Sequence, residues 1–151
     1  NKGTSFTILL PANQDQVIDI VKEPAEIADI DMANILIIDD EEIILETVSE
    51  MLESLNCHVT AVNNGPDGIK IYKENPRSYD VIILDKIMPV MNGKDVYLEL
   101  QKINPEVKVI LASGYSDEQA QEILDLGVAD FIRKPYTISA LSKILSKQLQ
   151  R

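Results

Sequence analysis

Residues 35–42 read ILIIDDEE. Four consecutive apolar residues suit a β-strand covered on both faces, and a run of acids ends it abruptly. The same cadence returns along the chain: VIILD closes at Asp85, VILAS at Ser113, and ADFIRKP at Lys134 before a proline. In an open parallel sheet, ligands bind outside the carboxyl ends of the strands. Asp39, Asp40, Asp85, Ser113 and Lys134 are therefore expected to meet at one sheet edge. Three carboxylates crowded together repel unless a cation joins them. A hard divalent ion with oxygen ligands, Mg²⁺ first, meets that demand.

Working outward, strand-like runs near 34–38, 57–62, 80–84, 107–111 and 129–132 alternate with stretches of helical spacing. The first helix is expected to turn Ile44, Val48, Met51, Leu52 and Leu55 inward and to stop at Asn56, a residue that tolerates left-handed backbone. The second runs from Gly65 to Glu74 on Ile69 and Tyr72. The third starts near Asn92-Gly93 and carries Val96, Leu98, Leu100 and Ile103. A fourth starts near Ser116 and ends at Gly127; a fifth runs from Ile138 to Leu149 with Leu141, Ile144, Leu145 and Leu149 inward. Strands alternating with helices imply right-handed βαβ crossovers. The fold class is α/β: a doubly wound, five-stranded parallel sheet over residues 33–151.

Bulk properties agree. The 151 residues supply one ordinary core. A net charge of −11 makes nucleic acid and anionic membrane surfaces poor direct partners. No run of 18 apolar residues occurs, and residues 5–12 are too short for a secretory signal. Cys57 is the single cysteine, which suits a reducing compartment and a small strand residue without chemistry. The expected location is cytoplasmic.

In order and spacing, ILIIDDEE, LDKIMPVMNG, SGYSD and GVADFIRKPY resemble the response-regulator receiver domain over residues 33–149. The resemblance implies a flavodoxin-like sheet of order 2-1-3-4-5 and a phosphorelay switch in two-component signalling. It makes Asp85 the phosphoryl acceptor, Asp40 a direct Mg²⁺ ligand, and Asp39 a ligand acting largely through water. The backbone carbonyl of Ile87 supplies a further metal ligand. Ser113 and Lys134 hold phosphoryl oxygens, Phe131 is the aromatic switch residue, and the Lys134–Pro135 bond is cis. The implied partners are a histidine kinase phosphotransfer domain, in cis or in trans, and a histidine phosphotransfer protein. Such a domain catalyses its own phosphorylation and dephosphorylation.

The residue types fit that chemistry. Phosphoryl transfer needs in-line positioning and charge stabilisation on the equatorial oxygens, which a cation, an ammonium and a hydroxyl supply together. Each residue also has a plainer role: Asp39 and Asp40 as an N-cap pair, Asp85 as a turn residue, Ser113 in a loop, Lys134 on the surface. A haloacid-dehalogenase-like phosphatase also uses an aspartyl nucleophile and Mg²⁺, but needs a second Asp where Ile87 stands. The third reading is a receiver-like interaction domain that is never phosphorylated. His58 lies in a predicted strand and reads as structural rather than as a phosphate donor.

Residues 1–12, NKGTSFTILLPA, resemble the last strand of a histidine-kinase ATP-binding domain, and residues 13–32 read as an acidic linker interrupted by Pro24. The implied parent is a hybrid sensor kinase whose catalytic core is not in this sequence and which can be membrane-anchored. Phe6, Ile8 and Leu10 alternate onto one face. A strand without its sheet is expected to cover that face on the receiver or to pair with another copy, giving a dimer through the N-terminal strand.

Overall fold

The short apolar runs form strands because each must be buried on both faces. In the computed structural model, the described residues are 3–4, 6–7, 30, 32–114 and 127–149. The elements are β1 (Asn34–Ile38), α1 (Glu42–Ser54), β2 (His58–Val62), α2 (Gly65–Glu74), β3 (Val81–Asp85), α3 (Gly93–Ile103), β4 (Val109–Ser113), β5 (Asp130–Arg133) and α4 (Ile138–Leu149). The helix expected from Ser116 to Gly127 lies outside the described residues, as does most of the N-terminal strand. The strands pair in parallel in the order β2-β1-β3-β4-β5, as expected.

Side chains alternate across the sheet, and so does the core. Ile35 and Ile37 pack with Leu45, Val48 and Leu52 of α1 and with Leu141 and Leu145 of α4. Leu36 and Ile38 pack with Tyr72 of α2 and with Val96, Tyr97 and Leu100 of α3. Each such fully buried aliphatic side chain contributes about 1.5–3 kcal/mol. Ile30, inside the stretch read as linker, is only 4% exposed and packs into the first of these layers.

Caps set where the helices begin. Asn64 and Asn92 each accept a hydrogen bond from the backbone N–H three residues on, at Asp67 and Asp95. Asn56 ends the α1 turn with φ 65°. Two inward faces differ from expectation. Leu45 is buried on α1, whereas Ile44 is only partly so. On α3, Tyr97 is buried and Leu98 is 39% exposed. Positions 96 and 98 lie about 200° apart around a helix, so Val96 and Leu98 cannot share a face. The N-cap expected of Asp39 and Asp40 is also corrected. Helix α1 starts at Glu42 with Glu41 as N-cap and no side-chain cap bond; Asp39 Oδ1 instead accepts the Glu41 N–H at 3.1 Å.

Candidate phosphoryl-transfer site

The register of β1, β3 and β4 brings three strand ends level. Ile38 pairs with Leu84, and Asp85 pairs with Ala112. Asp39 and Asp40 then leave β1 beside Asp85, and Ser113 ends β4 one residue further on. Asp39 is 1% exposed, and Asp85 and Ser113 are 7% exposed. Asp40 turns toward solvent. One carboxylate oxygen from each of Asp39, Asp40 and Asp85 lies within 4.8 Å of the others. That is the donor set a hard divalent cation takes.

Lys134 reaches this cluster from the end of β5. Its Nζ lies 2.6 Å from Asp39 Oδ2, 2.9 Å from Asp85 Oδ1 and 3.8 Å from Glu41 Oε1. Asp85 Oδ2 accepts the backbone N–H of Ile87 at 3.1 Å. Both Asp85 oxygens are therefore engaged. Burial raises the Asp85 pKa, and the charge of Asp39 adds to this; the Lys134 hydrogen bond and charge and the Ile87 N–H act the other way. Burial alone would lower the Lys134 pKa, but its hydrogen bonds to Asp39 and Asp85 prevail and raise it, so it stays charged. The Lys134–Pro135 peptide bond is cis.

Of the residues singled out in the sequence, Asp39, Asp40, Asp85 and Lys134 converge directly. Ser113 ends the neighbouring strand β4, where its backbone carbonyl accepts the Lys134 N–H at 2.9 Å. Phe131 is half-buried on β5 and packs against the α2–α3 layer. The Ile87 side chain is 57% exposed, so only its backbone faces the cluster. His58 is exposed on β2. Two neighbours were not singled out. Glu41, the third acid of the DDEE run, faces Lys134. Tyr136 follows the Lys-Pro pair, and burial together with the charges of Asp39, Asp85 and Glu41 pushes its hydroxyl well above the usual range. The sequence signal for both was adjacency to site residues.

Close approach explains one glycine. A Cβ on Gly93 would lie 2.3 Å from the Asp85 carbonyl oxygen and 2.9 Å from Lys86 Cα. The loop from β3 thus folds tightly onto the start of α3, and the Gly93 N–H donates to the Lys86 carbonyl at 3.0 Å. No helix among the described residues is long and apolar enough to cross a membrane.

Proteins of similar sequence and fold are known. The sensor kinase/phosphatase LuxN of Vibrio campbellii is 30% identical over 117 residues, covering 78% of this chain and 14% of LuxN. The sensor kinase CckA of Brucella abortus is 26% identical over 159 residues, covering 99% of this chain and 17% of CckA. The chain thus spans less than a fifth of these curated relatives. The crystal structure of the receiver domain of sensor histidine kinase PA1611 from Pseudomonas aeruginosa PAO1, with magnesium coordinated in its active-site cleft, superposes with a TM-score of 0.70 at 25% identity. It covers 78% of this chain and 98% of that one. The response regulator receiver domain family matches residues 35–146. With its 2-1-3-4-5 sheet and its acidic cluster at the strand ends, the chain belongs to the receiver domains of two-component phosphotransfer signalling.

Proposed function

We propose that Asp85 accepts a phosphoryl group from the phosphohistidine of a histidine kinase phosphotransfer domain. The observation that carries this reading is Lys134, whose ammonium contacts the buried carboxylates of both Asp39 and Asp85. An Asp85 oxygen attacks phosphorus, the new O–P bond forms as the P–N bond breaks, and the imidazole keeps the bonding pair. Lys134 is already charged and within reach of the oxygens that gain charge. Ser113, one strand away, covers another oxygen. Release reverses the path onto a second histidine or proceeds by attack of water on phosphorus.

The donor set fits Mg²⁺: Asp40 and Asp85 as direct ligands, the Ile87 carbonyl, and Asp39 largely through water. Bound there, the ion would neutralise charge shared by acceptor and phosphoryl oxygens. Ser113 drawn toward the phosphoryl group would leave room for the half-buried Phe131 to turn, changing the surface of β5, α4 and the helix expected from Ser116 to Gly127. The full protein is read as a hybrid sensor kinase, with residues 1–12 as the end of its ATP-binding domain, 13–32 as linker and 33–151 as a cytoplasmic receiver. The alignment with CckA over 99% of the chain supports that origin.

The test is phosphorylation by phosphoramidate with Mg²⁺, read by intact mass. One phosphoryl addition is expected for the native chain and none for Asp85→Asn, which keeps the shape and loses the nucleophilic charge. Equal labelling of the Asn variant would refute the assignment.

A further inference from the structure

β2 is the outer strand on one side of the sheet. The His58 N–H donates to the Ala33 carbonyl and the Val62 carbonyl accepts the Asp39 N–H, so alternate residues from 58 to 62 bond inward to β1. The N–H and C=O groups of Val59 and Ala61 therefore point away from the sheet. Helices α1 and α2 cover opposite faces of the sheet, and between them a groove of about 600 Å³ opens along this edge.

Leu45, Val62 and Ile71 make its floor, and its rim is acidic. Glu42 and Glu46 stand on the α1 side and Asp67 and Glu74 on the α2 side, against Lys70 as the one lining cation among the described residues. Successive side chains of an added strand point to opposite faces, hence toward α1 and α2 in turn, and meet carboxylates on both sides. A second copy docking through its own β2 edge would bring the same four carboxylates against these four. The N-terminal stretch from Thr4 to Leu10 carries no charge to match the rim.

We propose that the β2 edge is a docking site for an extended cationic segment of a partner protein. The segment adds as a sixth strand, with main-chain hydrogen bonds to Val59 and Ala61 and lysine or arginine side chains on the two rims. Glu42 follows Asp40 by two residues, so the docked segment lies beside the acceptor cluster without occupying it.

The test uses the full chain and a short peptide repeating Lys-Lys-Val-Val, which places lysines on both faces of an extended strand, with a Glu-Glu-Val-Val repeat as control. Hydrogen exchange by NMR should show the Val59 and Ala61 amides protected on adding the lysine peptide only. Ala61→Pro removes an outward N–H that the native sheet does not use, and should weaken binding about tenfold. The double variant Glu46→Lys, Glu74→Lys, which leaves the backbone intact, should weaken it at least as much. Both should accept phosphate from phosphoramidate at the native rate. Affinity unchanged in the charge variant, or protection mapped away from β2, overturns the proposal. So does protection of Val59 and Ala61 without peptide: concentration-dependent protection makes a second copy the occupant, and concentration-independent protection makes it the chain's own N-terminal segment.

Discussion

Lys134 lies closer to Asp39 than to Asp85, at 2.6 Å against 2.9 Å. It therefore neutralises two buried carboxylates at once, and Asp39 holds the shorter contact. Replacing it with the neutral, similarly long Met leaves both acids buried without their cation. Lys134→Met should lose about 3 kcal/mol of stability in urea unfolding without divalent ions. Saturating Mg²⁺ should restore part of the loss. Deprived of the ammonium, the buried Asp85 should titrate above its unfolded value. The variant's stability is then greatest at acid pH and falls as pH rises through the folded pKa. A variant as stable as the native chain at neutral pH would contradict this balance.

The two neighbouring acids should separate by metal affinity. Asp40 is the more open, and Asp39 is already engaged by Lys134 and the Glu41 N–H. Asp40→Ala should weaken Mg²⁺ binding by about tenfold or more, and Asp39→Ala by less. Calorimetric titration gives both values; equal affinities in all three proteins would remove the proposed ligand set.

Gly93→Ala should push the Asp85–Lys86 backbone off its present path, since the new methyl would fall within 2.3 Å of the Asp85 carbonyl oxygen. We expect about 1–3 kcal/mol of destabilisation and slower phosphorylation from phosphoramidate. Native rates and stability would mean that the loop yields freely.

Val90 is 97% exposed with φ 69°, a left-handed conformation that a β-branched residue adopts at a cost. Asn tolerates that region far better. Val90→Asn should therefore raise stability by about 1 kcal/mol without altering the phosphorylation rate. A lower midpoint in urea would show that Val90 is held by something other than its backbone.

Much of this was written in the sequence because strand ends announce themselves. ILIIDD and VIILD change from apolar to acidic where a parallel sheet exposes its carboxyl edge, so Asp39, Asp40 and Asp85 could be grouped before any coordinates. The fine assignment of helix faces could not. Ile44 and Leu45 are equally apolar neighbours, and only the packing of α1 on Ile35 and Ile37 chooses Leu45. Tyr97 carries a polar hydroxyl, which hid its burial; that oxygen accepts a hydrogen bond from Gln101 Nε2 at 3.2 Å. The choice of Lys134 to bind Asp39 as well as Asp85 depends on distances between three strands, which no local pattern encodes.

Ile30 gives the domain a fixed point of suspension. It is buried just before β1, at the amino ends of the strands, whereas the carboxylate cluster sits at their carboxyl ends. A strand of five residues separates these two poles by about 16 Å. The described chain thus enters the domain at the pole opposite the carboxylate cluster. Residues 13–29 can span at most about 55–60 Å if fully extended. If the proposed donor histidine lies on the same polypeptide, it has to pass around the domain to reach Asp85, whereas one on a neighbouring polypeptide can approach head-on. The anchorage of one isoleucine bears on whether phosphate travels within a chain or between chains.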